Sequence, residues 1–303
     1  MYESYYGFSK KPFSLNFDPE LLYMGTTHTT AFSMLEYGVI SQSGFTVITG
    51  EVGSGKTTIV KHLLGQLHGR IKVGLINNTH NHMGQLLPWV LHSFNQPYND
   101  ESPIALYHNF EQFLENQTRS GERTVLIIDE AQNLGMPLLE ELRMLSNIDT
   151  VEPGLQIILI GQPQLRDLLM QPELMQFSQR VAADYHIAAL SLKETIAYMK
   201  HRLTRVGSAK PIFDLGAYRL IFAASRGIPR LVNVVCDTAL SFAFGDGVYF
   251  IDEQYMHGVL KERAEGGLLA LGQKPSRQFG KSAYESPNLD TLLKKTADDT
   301  SID

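Results

Sequence analysis

The feature that most constrains this chain is the segment GEVGSGKT at residues 50–57, which matches the glycine-rich phosphate-binding loop in full. An apolar run, FTVIT at 45–49, precedes the loop, and an amphipathic stretch at 58–67 follows it. The pattern therefore predicts a strand, a loop and a helix, in which backbone N–H groups and the helix dipole face a phosphate chain. The alternative is a glycine-rich turn of chance composition, and that would not require this context on both sides.

The loop and the threonine that follows it form the predicted nucleotide-binding set. Its members are Gly50, Glu51, Val52, Gly53, Ser54, Gly55, Lys56, Thr57 and Thr58. We expect the Lys56 ammonium to reach the β- and γ-phosphates and the Thr57 hydroxyl to bind Mg²⁺. ATP and Mg²⁺ are thus the predicted ligands.

A second segment, RTVLIIDEAQNL at 123–134, is an apolar run that ends in two carboxylates. Such a run is typical of a strand buried on both faces of a parallel sheet, and ligands bind at the carboxyl ends of these strands. We expect Asp129 to hold Mg²⁺ and Glu130 to orient and deprotonate the attacking water. The pair favours hydrolysis over binding alone, although acids at a strand end can also cap the next helix.

Composition and charge narrow the class of protein. The chain has 303 residues, 43% of them hydrophobic, which is enough for one large domain or two modest ones. Its net charge of −6 argues against a dedicated nucleic-acid binder. The single cysteine, Cys236, lies in an apolar helical pattern and is expected to be a core residue. Because no signal peptide or long apolar span is evident, we expect a cytoplasmic protein without a transmembrane segment.

The order of patterns along the chain predicts the architecture. Apolar strand patterns near Phe45, Ile71, Arg123 and Leu155 alternate with helical ones, which is typical of an α/β fold with a parallel sheet flanked by helices. From residue 191 onward the patterns are helical. We therefore expect an ATPase core with an aromatic N-terminal segment at 1–190, a small all-helical lid at 191–264, and a flexible tail at 265–303.

Several motifs in combination identify a family. They are YYGFSKKPFSLNFDPELLYMG at 5–25, the loop GEVGSGKT, LIIDEAQNL at 126–134, LLEELRMLSNIDT at 138–150, LIGQPQL at 159–165 and SQR at 178–180. Together they resemble the AAA+ ATPases of the general secretion pathway protein A type, a family that includes ATPases associated with exopolysaccharide and exosortase gene clusters. The resemblance spans residues 1 to 264. It implies a P-loop AAA+ core with a helical lid, and homo-oligomers whose active sites are shared between subunits.

The resemblance also implies roles for three further residues. Gln162 matches the first sensor, which positions the attacking water, and Arg180 matches the arginine finger that a neighbouring subunit supplies. Arg230 matches the second sensor, carried on the lid and directed at the nucleotide. The alternatives are a polar residue at a strand end for Gln162, a surface arginine for Arg180, and a solvated helix-start arginine for Arg230.

Three hypotheses for function follow. The first is an oligomeric ATPase that assembles or regulates a bacterial envelope secretion or exopolysaccharide export system, peripheral to the inner membrane through a protein partner. The second is a DNA-associated ATPase regulator resembling the helper ATPases of transposition, which makes nucleic acid a possible but not favoured partner. The third is a switch that binds ATP and a partner with little turnover. The sequence names neither the client protein nor the number of subunits.

Overall fold

The computed structural model describes residues 1–41, 44–66, 71–77, 79, 84–98, 102–148 and 154–266. The chain divides into two compact units, Met24–Ala188 and a second one that joins Met1–Tyr23 to the chain from Ala189 onward. The described residues form these α-helices in chain order: α1 (Tyr2–Tyr6), α2 (Thr26–Ser41), α3 (Lys56–Gln66), α4 (Leu87–Ser93), α5 (Pro103–Arg119), α6 (Gly135–Leu145), α7 (Pro163–Leu169), α8 (Met175–Ser178), α9 (Leu192–Arg205), α10 (Leu215–Ser225), α11 (Pro229–Gly245) and α12 (Glu253–Gly266).

The unit Met24–Ala188 is built on a five-stranded sheet of order β2-β3-β4-β1-β5. Every strand pair is parallel. The strands are β1 (Phe45–Gly50), β2 (Ile71–Ile76), β3 (Arg123–Ile128), β4 (Leu155–Gly161) and β5 (Val181–Ile187). The central strands β1 and β4 are buried along their whole length, as their unbroken apolar runs predict.

Two apolar layers pack on opposite faces of this sheet. On β1, Phe45 and Val47 belong to one buried cluster with residues of α4 to α8, whereas Ile48 belongs to another with residues of α2 and α3. This division follows from the strand period of two, which sends alternate side chains to opposite faces. The predicted class, a parallel sheet with helices on both faces, is confirmed.

The strand β5 has no counterpart among the predicted strands. Its sequence, VAADYHI, alternates partly buried and exposed residues along most of its length, so it lacks the continuous apolar run that marks β1, β3 and β4. It pairs with β1 on one side only and forms the edge of the sheet. Edge strands carry a weaker sequence signal because one of their sides is not covered by another strand.

The second unit is helical. The helix α9 begins with a capping box, in which Ser191 and Glu194 each bond the other's backbone N–H, and Asp214 caps α10 through the N–H of Ala217. Buried residues of α9 to α12 form one cluster that includes Cys236, and burial raises the pKa of this thiol well above its usual value. Among the described residues, no helix is both long enough and apolar enough to cross a bilayer.

The N-terminal segment packs into this helical unit. Tyr2, Tyr6, Phe8 and Phe13 lie in the same buried cluster as α9 to α12, and the backbone N–H of Ser9 donates to the carbonyl of Val206 at 2.9 Å. The sequence analysis grouped the segment with the ATPase core at 1–190, and the structure corrects that grouping, because the aromatic side chains are buried against the helices. Of the predicted tail, residues 267–303 lie outside the described residues.

Candidate nucleotide site

The phosphate-loop sequence forms a tight loop between β1 and α3. Gly53 and Gly55 have φ angles of 84° and 100°, in the left-handed region that residues with a side chain rarely adopt. A Cβ on Gly55 would also approach His28 Nε2 to 3.0 Å, and this ring nitrogen bonds the carbonyl of Ser54 at 2.8 Å. The two glycines therefore allow the backbone to curl, and the hydrogen bond from His28, on α2, stabilises this conformation.

Lys56 lies inside this loop with only 6% of its surface exposed. Its Nζ donates to the carbonyls of Gly50 at 2.8 Å and Glu51 at 3.0 Å, and within the described part of the chain it forms no ion pair. Burial lowers the pKa of Lys56, and the negative charges of Glu130, Asp129 and Glu51 oppose this shift without reversing it.

The loop therefore fits an anion. A buried ammonium without a carboxylate partner is unfavourable unless an anion compensates its charge. The Ser54 hydroxyl oxygen is also buried, and it has no hydrogen-bond partner among the described residues. The loop thus contains a cation, a hydroxyl without a partner among the described residues and a glycine-rich backbone, which are the groups that bind a polyphosphate.

Thr57 and Asp129 meet at the carboxyl ends of β1 and β3. The Thr57 hydroxyl donates to Asp129 Oδ2 at 2.9 Å, and Asp129 Oδ1 accepts the backbone N–H of Glu130 at 2.9 Å. A hydroxyl beside a carboxylate supplies the hard oxygen ligands that suit Mg²⁺, which takes few protein ligands and keeps several waters. In the ranges that the structure describes, no cluster of three or more histidine, cysteine or acidic residues forms a larger metal site.

Glu130 follows in a strained conformation, with a φ angle of 54°. The hydroxyl of Thr79 donates to the Glu130 carbonyl at 2.6 Å and helps to hold this left-handed backbone, which costs about 1–2 kcal/mol for a residue with a side chain. The Glu130 side chain contacts two glutamines, since its Oε2 accepts hydrogen bonds from Gln132 Nε2 at 2.6 Å and Gln162 Nε2 at 3.0 Å.

These contacts keep Glu130 ionised. Burial alone would raise the pKa of Glu130, but the hydrogen bonds from Gln162 and Gln132 and the positive charge of Lys56 outweigh it and lower the pKa. A carboxylate that is ionised at neutral pH can accept a hydrogen bond from an attacking water and orient it.

Gln132 is a site residue that the sequence analysis missed. Besides its bond to Glu130, its Oε1 accepts the backbone N–H of Gln162 at 3.0 Å, so one side chain connects the ends of β3 and β4. A Cβ on Gly161 would lie 2.9 Å from this oxygen and 2.8 Å from a methyl group of Leu165, so a glycine at the last residue of β4 avoids both contacts. The sequence DEAQ at 129–132 shows a polar residue two positions after Glu130, but it does not show that this residue bonds the end of β4.

Two other contacts were also missed. Thr79 follows β2 and could have been found as a polar residue at the carboxyl end of a neighbouring strand. His28 lies on α2, 22 residues before the loop begins at Gly50, and no sequence signal marks it.

Arg180 does not join the residues around Glu130 within one chain. Arg180 is exposed and directly precedes β5, where its carbonyl accepts the N–H of Phe45 at the amino end of β1. The phosphate loop begins at the other end of β1, roughly 17–20 Å away, a distance that an arginine side chain cannot span. Arg230 lies in the helical unit, exposed in the first turn of α11, without a hydrogen bond or ion pair to the described residues.

Comparisons with known proteins agree with this fold. Residues 39–169 match the AAA domain family. The chain is 40% identical over 254 residues to general secretion pathway protein A of Aeromonas hydrophila, a match that covers 83% of this chain and 46% of the relative. The chain thus spans less than half the length of this relative.

Solved structures with the same fold have low sequence identity. The Aeropyrum pernix ORC2 protein in its ADP form aligns with a TM-score of 0.62 at 17% identity, over 87% of this chain and 75% of that one. Cdc6p from Pyrobaculum aerophilum aligns with a TM-score of 0.62 at 14% identity, over 83% and 70% of the two chains. RuvB of Thermotoga maritima aligns with a TM-score of 0.51 at 15% identity, over 79% and 70%. In its fold, its matching domain and its sequence, the chain is similar to the AAA+ ATPases of the general secretion pathway protein A type.

Proposed function

We propose that this protein hydrolyses ATP with the help of Mg²⁺, and that it does so as a homo-oligomer whose active sites are shared between subunits. The observation that carries the proposal is the Glu130 carboxylate, which accepts hydrogen bonds from Gln132 and Gln162 and directly follows Asp129, the acceptor of the Thr57 hydroxyl. A site that only bound nucleotide would not need a strained glutamate at this position.

Each residue of the site would have a distinct role. Lys56 and the loop N–H groups would bind the phosphates, while Thr57 and Asp129 would hold Mg²⁺, which neutralises charge on the β- and γ-phosphates when bound. Glu130 would accept a proton from the attacking water. Gln162 would orient that water, and Gln132 would keep Glu130 and Gln162 at a constant separation.

Arg180 and Arg230 would complete the site, Arg180 from a neighbouring subunit and Arg230 from the helical lid. Because Arg180 lies at the opposite end of β1 from the loop, we infer that it serves the site of a neighbouring subunit, where it would stabilise charge on the transferred phosphate. Arg230 would contact the nucleotide from the lid of its own subunit. Both roles rest on the family resemblance together with the exposure of these side chains.

The cellular role that we propose is assembly or regulation of a bacterial envelope secretion or exopolysaccharide export system, through a protein partner. It is supported by the 40% identity to general secretion pathway protein A. Replacing the gene with a Glu130→Gln version in the source bacterium should reduce the exported product. Unchanged export, with the variant protein present at its normal level, would contradict this role.

A mixing experiment tests the shared site. Arg180→Ala and Glu130→Gln proteins should each be inactive, yet their mixture should recover ATPase activity, because an intact Arg180 can then face an intact Glu130 across the interface. The matched control mixes Lys56→Ala with Glu130→Gln, whose defects lie in the same site and cannot complement. No recovery in the first mixture, despite demonstrated co-assembly, would refute the role of Arg180.

A further inference from the structure

A groove of about 500 Å³ lies on the helical unit, between the end of α11 and the helix α12. All of its lining residues belong to this unit, so it shares no residue with the nucleotide site. Neither the phosphate chemistry nor the family motifs involve it. Its charge, its exposed aromatic residues and one glycine each bear on what it could bind.

The rim of the groove is acidic. Asp246, Asp252 and Glu262 line it, and none of its lining residues is a lysine, arginine or histidine. Tyr255 holds the first two carboxylates in place, since its hydroxyl donates to Asp246 at 2.5 Å and its backbone N–H donates to Asp252 at 2.8 Å. Glu262 is exposed and has no hydrogen bond or ion pair to the described residues. The groove therefore presents negative charge that a cationic ligand could neutralise.

The wall of the groove is apolar. Phe242 and Phe250 line it with 37% and 47% of their surfaces exposed, next to Val248 and Val259. Large aromatic side chains that remain this exposed at a concave site are typical of residues that bury further when a partner binds.

The glycine at position 258 adds an independent observation. Gly258 lies in the middle of α12, where a glycine costs about 0.5–1 kcal/mol relative to alanine. Packing does not require it, because an added Cβ would meet no described atom within 4 Å, and its backbone needs no left-handed angle. Since Gly258 lines the groove, the missing side chain leaves room for another chain to approach the helix closely.

We propose that this groove binds a cationic amphipathic segment of a partner protein, one with lysine or arginine residues on either side of a bulky apolar anchor. The apolar anchor would pack on Phe242 and Phe250 above Gly258, and the basic residues would pair with Asp246, Asp252 and Glu262. The same carboxylates would repel nucleic-acid phosphates and anionic lipid headgroups, so a protein segment is the occupant that the charge favours. The proposal is independent of whether the protein hydrolyses ATP.

A library of phage-displayed random peptides, selected on the full chain, tests the proposal without knowledge of the partner. The enriched peptides should carry net positive charge and at least one bulky apolar residue. One of them, made synthetically with a fluorophore, should bind the full chain in an anisotropy titration, and its affinity should fall roughly tenfold or more for Phe250→Ala and for Glu262→Lys.

Matched controls separate the groove from general effects. Leu215→Ala removes an exposed apolar side chain elsewhere in the same unit, 55% exposed against 47% for Phe250, and Glu173→Lys makes the same charge change in the other unit. Both should leave the affinity unchanged. Gly258→Ala should weaken binding while raising or preserving the melting temperature, a combination that loss of folding cannot produce.

Three results would overturn the proposal. The first is a selection that enriches no binding peptide. The second is enrichment of peptides whose affinity is the same for the groove variants and their controls. The third is concentration-dependent self-association of the protein that Phe250→Ala abolishes, since a second copy would then be the occupant of the groove.

Discussion

Replacing Gln132 with alanine removes two hydrogen bonds at once, one to the Glu130 carboxylate at 2.6 Å and one from the backbone N–H of Gln162 at 3.0 Å. A hydrogen bond to a charged group contributes about 1.5–3 kcal/mol. Because Gln162 still donates to the same carboxylate oxygen at 3.0 Å, we expect a cost near the lower end, about 1.5 kcal/mol. This corresponds to a decrease in kcat of about tenfold.

The same substitution should leave KM for ATP unchanged, because Gln132 has no hydrogen bond to the phosphate loop among the described residues. It should also change the pH dependence. The bond from Gln132 stabilises the charged form of Glu130 and so lowers its pKa, and its loss should raise that pKa. Since catalysis requires the unprotonated carboxylate, the acid limb of kcat should move to higher pH.

Steady-state ATPase measurements across the acid range, with phosphate release as the signal, would test these expectations. Gln164→Ala is the matched control, because this glutamine is exposed on α7 close to Gln162 in sequence and makes no hydrogen bond to the described residues. An unchanged kcat and an unchanged acid limb for Gln132→Ala, in a preparation where Glu130→Gln is inactive, would refute the positioning role. An inactive parent protein would instead refute the proposed ATPase function.

Three further predictions concern binding and stability. Lys56→Ala should weaken ATP binding by roughly 30- to 150-fold through loss of a charge-assisted phosphate contact, and a fluorescent ATP analogue bound with undiminished affinity would contradict this assignment. Thr57→Ala should weaken nucleotide binding mainly when Mg²⁺ is present, so equal weakening in EDTA would argue against a metal ligand. Phe13→Ala should destabilise the helical unit by about 3–5 kcal/mol in urea unfolding, because this ring is only 1% exposed, whereas the exposed Leu15 should tolerate alanine within about 0.5 kcal/mol. Equal stability of the two variants would show that the N-terminal segment is not part of the core.

The nucleotide loop and the buried strands could be predicted because their signals are local. The glycines of GEVGSGKT and the apolar runs that become β1, β3 and β4 act over a few consecutive residues, and the structure places these strands where the runs predict them. The order of alternating patterns was also enough for the fold class. The catalytic roles of Glu130, Gln162 and Arg180 and the nucleotide-binding role of Arg230 stay predictions until the variants are measured.

The tertiary structure decided the features that depend on residues far apart in the chain. The strand β5 forms because its backbone pairs with β1. The N-terminal aromatic residues are buried because they pack against α9 to α12. Gln132 becomes a site residue because β4 brings Gln162 into contact with Glu130, although Gln162 follows Glu130 by 32 residues in the sequence. A local pattern can determine which residues form a strand, a loop or a helix, since that choice depends on near neighbours. Which side chains bond the Glu130 carboxylate depends instead on how β3 and β4 pack together, and these two strands are far apart in the sequence.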